Sequence, residues 1–482
     1  MHGVAKDHLA VRQREARYTA LLSHLRSSPV INCEPASEQD SRQRSLWTNT
    51  IVVSIVTAIV KLAGGVKTAI IARVFGARAD LDAYLLAFLV PSFIAEILCG
   101  AVVPSLVPRL VDLLHRGNVR DMQELYTTAL RRIVILVCGV AVLLSVLAAI
   151  VMRIGSDDRR LVLTSSLLIV MLPILPFSAV TNVWRAAMNA GEHFAIAAAA
   201  SAVTPVVISL FLLALGPRVF WLAVGTTIGA IMETAILGCF LRRLKLALFV
   251  MPVGKPHVAY KGTDQQFVSL ALNNLVLGGS LFVDQWMASF LGGGAVSVLN
   301  YGSRLTSVLI ALGPEALGVT LLPRLSRVAA ENCDGQMRPL LNRFLAVALG
   351  VAAVFAGILF WQSPSIVKLV FQHGAFAGQV AGDVASVQKV SLLQLPFAVG
   401  FAFLSRVVAS IKVNRILVPI SALGLALNVV LNLVLMRRYS VAGIAAATVL
   451  SQAVVFTLLL LTVSHILRSG RNIDVEDVVR TA

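Results

Sequence analysis

Three features of this 482-residue chain predict an all-α polytopic membrane fold of about twelve transmembrane helices in two six-helix lobes. Hydrophobic residues make up 57% of the sequence and charged residues only 13%, a balance that a water-soluble core of this size cannot bury. Apolar runs long enough to cross the hydrocarbon of a bilayer recur from Trp47 to Ile466. The third feature is a likeness between the two halves of the chain.

Charged and Gly/Pro clusters divide the apolar runs at 48–74, 82–111, 125–152, 161–188, 194–215 and 220–244. After the polar stretch FVMPVGKPHVAYKGTD come 266–291, 296–322, 340–362, 384–410, 416–436 and 442–467. This gives a first lobe over 46–247, a linker over 248–264 and a second lobe over 265–468. Residues 1–45 form a polar N-terminal extension without the apolar core of a cleavable signal, and 469–482 form a tail. The halves echo each other: VFGARADLDAY then SLVPRLVDLL, against FLGGGAVSVLNY then TLLPRLSRVA. Pro108-Arg109-Leu110 and Pro323-Arg324-Leu325 each end the second helix of their half, where Arg meets lipid phosphate or helix-end carbonyls.

The net charge of +17 does not imply nucleic acid, because the charges lie between spans instead of on one face or tail. Most of the 41 Lys and Arg fall on the side of the N-terminus, which the positive-inside rule makes cytoplasmic; an even number of spans returns the tail RSGRNIDVEDVVRTA to that side. The five cysteines show no CxxC pairing and read as structural. No HExxH, GxSxG or P-loop pattern is present, and no large polar domain is available for catalysis.

Charges inside spans are costly and are functional candidates for that reason. Lys61 and Lys67, in VKLAGGVKTA, stand about 120° apart on the first span and border one cavity without forming a narrow stripe. They either attract phosphate or pyrophosphate, or snorkel to an interface; the central Lys61 is the harder to explain by snorkelling. Gly64 and Gly65 between them allow a bend or a close helix contact. Pro91 interrupts the second span, and Glu96 beyond it needs a cationic neighbour, with Lys61 or Lys67 the natural partner. In the second half, Arg304 in LNYGSRLTSV is the strongest anion-binding candidate, its fork suited to paired phosphate oxygens; the alternative is an ion pair with Asp284 or Glu315. Asn428 and Asn432 share a helix face, and Thr448 lies on the next span. With Asp284 they offer oxygen ligands alone, which suit Na⁺ or a proton relay, or interhelical hydrogen bonding.

Several stretches, in order and nearly end to end, resemble the MurJ/MviN family of lipid II flippases within the multidrug/oligosaccharidyl-lipid/polysaccharide exporter superfamily. They are IARVFGARADLDAYLLAFLVPSF, RAAMNAGEHF, VDQWMASFLGGGAVSVLNYGSRL, VTLLPRLSR, VFQHGAF and ALNVVLNLVLMRRYSVAGIAAATVLS. The resemblance implies two lobes in a V, a central cationic cavity and alternating access driven by an ion gradient or the membrane potential. Its cargo would be an undecaprenyl-pyrophosphate-linked saccharide, lipid II or a related precursor, moved across a bacterial inner membrane with both termini cytoplasmic. Asp82 and Arg304 match acidic and basic family positions; Lys61 and Lys67 stand where the family usually has arginine. Asp82, Glu96 and Glu315 are therefore expected as gating or charge partners, and Lys61, Lys67 and Arg304 as pyrophosphate contacts.

Two departures bear on the cargo. SFIAEILCGAV carries Ala95 and Glu96 where the family has basic character, and the chain ends after twelve spans where lipid II flippases have fourteen. An exopolysaccharide or O-antigen repeat unit is thus the alternative cargo; a cation antiporter of the multidrug type and a membrane glycosyltransferase or ligase are the more distant readings. The expected partners are the polyprenyl-linked saccharide and the bilayer, with no nucleic acid, no cofactor beyond coupling by Na⁺ or H⁺, and no indication of oligomeric state.

Overall fold

The computed structural model describes residues 36–469 apart from 117–118, 156, 244–262, 312–333, 372–373, 377, 411–412 and 414–415. Among these the regular elements are all helical, and ten stretches are long and apolar enough to cross a membrane. The last of them, Leu417–Ile466, holds two spans. In one straight helix Asn428 and Thr448 would lie about 30 Å apart, yet their side chains meet at 3.5 Å. The chain reverses at Ser440, whose φ of 51° and ψ of −134° break the helix, and a Cβ at Gly443 would fall 2.3 Å from the Leu435 carbonyl. A further helix covers 295–311 and runs up to residues outside the described set. Together these match the twelve helices expected.

The first half comprises α1 (Ala36–Phe75), α2 (Ala79–Ile94), α3 (Val102–His115), α4 (Val119–Ile154), α5 (Arg159–Met171), α6 (Ile174–Ala190), α7 (Phe194–Ala199), α8 (Val203–Leu215) and α9 (Val219–Arg243). The second comprises α10 (Thr263–Ala288), α11 (295–311), α12 (Asp334–Phe371), α13 (Gly378–Leu392), α14 (Leu395–Ser410) and α15 (Leu417–Ser469). Several spans are thus built from two helices in line. Pro173, which has no amide proton to donate, stands between α5 and α6. In the second span the interruption comes one turn after Pro91, which sits inside α2: residues Ala95–Cys99 form a π-turn before α3 resumes.

Large apolar side chains face outward in rows, as expected when lipid is the solvent. On α1 these are Ile55, Ile59, Leu62 and Val66, repeating along one helix face. Three main clusters of buried side chains set the architecture. One lies wholly in the first half, around Leu106, Leu175 and Leu237, and one wholly in the second, around Phe403, Leu404 and Leu459. The largest, which includes Phe75, Leu81, Ala295, Tyr301 and Phe376, joins the two halves near the turns at 76–78, 292–294 and 374–376. This cluster therefore cements the halves at the end of the spans where those turns lie, while α10 packs along the second span of the first half, with Phe282 stacked on Phe93.

Candidate functional site

The cemented end is held by polar contacts that cross between the halves. Gly76, with φ of 61°, ends α1, and Asp82 lies in the first turn of α2. The buried Asp82 carboxylate accepts hydrogen bonds from the Gly294 amide at 2.6 Å, the Ser297 amide at 2.8 Å and the Ser297 hydroxyl at 2.5 Å. It thus caps the N-terminus of α11, satisfying orphan amides and facing the positive end of the helix dipole. The Tyr301 hydroxyl donates to the Gly76 carbonyl at 3.1 Å, and the Ala375 amide to the Arg73 carbonyl at 2.9 Å. At Gly374, φ is 67° and a Cβ would fall 2.4 Å from the Arg73 carbonyl oxygen; at Gly76 one would fall 2.6 Å from the Ala375 carbonyl oxygen. Two backbones therefore touch directly, and Tyr301, Phe371 and Phe376 pack as an aromatic trio beside them.

Away from this end, α1 and α11 face each other across the halves. Arg304 reaches α1 at Gly64, its terminal nitrogen 3.2 Å from where a Cβ would be. Gly64 and Lys67 share a helix face, so the guanidinium lies beside Lys67. Among the described residues no carboxylate forms an ion pair with Arg304, Lys61 or Lys67, and the Arg304 Nε is buried without a hydrogen-bond partner. The expected alternative for Arg304, pairing with Asp284, is not formed; Glu315 lies outside the described residues. Glu96 pairs with neither lysine. The π-turn frees its main-chain carbonyl, which accepts from the Asn274 amide of α10 at 3.2 Å, while its exposed carboxyl group lies near Gly278. An exposed carboxylate at this depth is tolerable where it faces water, not hydrocarbon.

Asp284 sits in a separate cluster within the second half. Its carboxylate accepts from Asn432 Nδ2 at 2.8 Å and from Thr448 Oγ1 at 2.6 Å. Asn432 also donates to Asn428 Oδ1 at 3.2 Å. Asn428 and Asn432 have no exposed surface, and Asn432 Oδ1 has no hydrogen-bond partner. One buried carboxylate and an orphaned amide oxygen form a donor set of hard oxygens, the type that suits Na⁺ or H⁺. No group of three or more His, Cys, Asp or Glu that would hold a metal occurs among the described residues.

Sequence reading passed over one intramembrane pair: Arg185 on α6 and Glu233 on α9 form a salt bridge, and Thr204 Oγ1 donates to the second Glu233 oxygen at 2.8 Å. The cost of placing each charge within an apolar span was the available signal. Asn274 gave none, because its role appears only once the π-turn frees a carbonyl. Of the five cysteines, Cys99, Cys138 and Cys239 are free; the other two lie outside the described residues.

Two lobes joined through the turns at 76–78, 292–294 and 374–376, with Arg304 set against Gly64 between them, make a helical membrane protein whose fold is that of the MOP-superfamily transporters. A solved structure titled as a lipid II flippase MurJ in an inward closed conformation matches with a TM-score of 0.73 at 19% identity, covering 89% of each chain. An inward-facing MATE multidrug transporter matches with a TM-score of 0.74 at 14% identity, over 87% of this chain and 100% of the other, so the fold alone does not separate the two classes. The family model does: the chain belongs to the lipid II flippase MurJ family, matched over residues 71–477. A relative in Buchnera aphidicola, named as a probable lipid II flippase MurJ, is 24% identical over 441 residues, covering 86% of this chain and 82% of the relative.

Proposed function

We propose that this multi-pass protein flips an undecaprenyl-pyrophosphate-linked saccharide, lipid II or a related precursor, from the inner to the outer leaflet of a bacterial inner membrane, with both termini in the cytoplasm. The observation that carries this reading is the pairing of Arg304 with Lys67 across Gly64, without a carboxylate to neutralise them among the described residues. Two cations held together at membrane depth, with an unsatisfied guanidinium N–H, are costly unless an anion completes them. A pyrophosphate supplies that charge and accepts paired hydrogen bonds from the arginine fork. Lys61, further along α1 toward the cytoplasmic edge, adds attraction on the route in.

In this mechanism the contacts around Asp82, Tyr301 and Gly374 close the outer face, so the cargo loads from the cytoplasmic side. Asp284, Asn428, Asn432 and Thr448 are the residues that would hold a coupling Na⁺ or H⁺, which supplies positive charge to the buried carboxylate. Its loss or gain changes the packing of α10 against α15 and biases the equilibrium between the two faces. An exopolysaccharide repeat unit is the second cargo, favoured by Glu96, whose exposed carboxylate places negative charge near the cleft.

The test is lipid II flipping in proteoliposomes by wild type, Lys61→Gln and Arg304→Gln. Loss of flipping in the Arg304 variant with retained folding supports the cationic cleft; wild-type rates in both variants overturn it. Rescue of cells depleted of their lipid II flippase distinguishes lipid II from another polyprenyl-linked saccharide.

A further inference from the structure

Beside the first turns of the apolar part of α1, a groove with a cavity volume of about 370 Å³ opens between α1, α7, α8 and α9. Its walls are apolar: Val56 on α1, Ala195 and Ala199 on α7, Val203 on α8, and Ile236 and Phe240 on α9. From Ala195 to Val203 it runs for about 12 Å along the span, starting at the end where α7 begins and α9 finishes. The alanines make the groove, since larger side chains there would fill it. Ile236, Phe240 and Arg243 fall at i, i+4 and i+7, so Arg243 continues the groove-facing stripe of α9 to its mouth. Arg242 and Arg243 are exposed in the last turn of α9, and neither has an ion-pair partner among the described residues.

We infer that this groove is a binding site for an anionic glycerophospholipid: an acyl chain in the alanine-lined channel and the phosphate on Arg243 and Arg242. Charge complementarity sets the head group. A hydrocarbon channel capped by two unpaired cations at a membrane edge matches one lipid chain below one phosphate, and favours an anionic lipid over a zwitterionic one. The cargo lipid is a poorer fit. Its head group crosses through the cleft near Lys67, which is 11 residues from Val56 and so about 16 Å farther along α1, whereas a head group on Arg243 stays at one edge. A resident lipid would press on the same helix that carries Lys67 and ends at Gly76, so occupancy would also influence the closed face. The assignment to the cytoplasmic leaflet rests on the orientation proposed above; binding to the groove does not.

The experiment counts lipids retained by the intact detergent-purified protein in native mass spectrometry, with phosphatidylglycerol and phosphatidylcholine as probes. Wild type is expected to retain phosphatidylglycerol about fivefold over phosphatidylcholine, a ratio that Arg242→Gln with Arg243→Gln brings close to one. Ala199→Phe, and the milder Ala199→Ile, are expected to lower retention of phosphatidylglycerol, while Leu213→Phe on the exposed far end of α8 is not. Equal retention of the two lipids by wild type, or retention unchanged by both Ala199 variants, overturns the site. So does displacement by undecaprenyl phosphate at lower concentration than by phosphatidylglycerol, which would make the groove a holder for the cargo tail. Lipid II flipping is not measured, so failure of the transport reading leaves this result standing.

Discussion

Asp82 and Ser297 hold the two halves together through two hydrogen bonds, one to the Ser297 amide at 2.8 Å and one to its hydroxyl at 2.5 Å. Each residue lies just beyond the turn that follows the first span of its half, so the contact joins the two stretches that echo each other in sequence. The carboxylate of one repeat caps the helix of the other. Only one half carries the acid, which makes the contact asymmetric although the repeats are related.

Asp82→Asn keeps an acceptor but removes the charge facing the α11 N-terminus and forces an amide NH₂ toward backbone donors. A charge-assisted hydrogen bond contributes about 1.5–3 kcal/mol, so the closed face should lose roughly tenfold or more in population. In a cysteine-free background carrying Ser303→Cys, an impermeant maleimide added from the outer side is expected to label the Asp82 variant faster. Identical labelling rates would mean that the cap does not hold this face shut.

Gly374→Ala tests the backbone contact. The positive φ strains any replacement, and the new methyl would meet the Arg73 carbonyl oxygen, which cannot swing away as a side chain does. Gly216→Ala is the control: its φ of 86° with ψ of 179° also strains any side chain, but nothing lies within 4 Å of the added atom. Flipping is expected to fall severalfold further in the Gly374 variant than in the Gly216 variant. Equal losses would attribute the effect to strain alone.

Much of this was legible in the sequence, and the reasons are specific. Helix number and class followed from apolar run length because lipid leaves few alternatives to a hydrogen-bonded helix. That Asp284, Asn428, Asn432 and Thr448 meet was legible, since two lie four residues apart and polar groups at membrane depth seek one another; the structure joins them by hydrogen bonds. The partners of single charges were not legible. Arg304 meets Gly64 and pairs with no acid among the described residues, and Glu96 lies against α10, beside Asn274 and Gly278, within the π-turn that follows Pro91. Which helix face a single charge occupies depends on one residue's register, which a list of spans does not fix. The halves' joint at Gly76 and Gly374 was equally hidden, for glycine in a turn does not announce which backbone it touches.

Asp284→Asn isolates the coupling role. Asparagine retains the oxygen that accepts from Asn432, so the cluster's hydrogen bonds can persist while the only formal charge is lost. Flipping is measured against Na⁺ concentration at constant pH, and against pH without Na⁺. Wild type is expected to depend on one of the two and the variant on neither. A variant with the wild-type dependence on both would place coupling elsewhere.

The Arg185–Glu233 pair gives the clearest stability test, since its contacts all lie within the first half and both partners are partly buried, with side-chain exposures of 25% and 14%. Removing one member leaves the other charge without compensation, an effect of about 3–5 kcal/mol for a buried pair and less here because Arg185 retains some exposure. Arg185→Gln should therefore lower the melting temperature in detergent. Glu233→Gln added to it should restore much of the loss, because the two amides can hydrogen-bond with each other and with Ser201 and Thr204, which already contact this pair. Thermal melts of wild type, both single variants and the double variant close the cycle. A positive coupling energy is expected; additive losses in the double variant would show that Arg185 and Glu233 stabilise the fold independently.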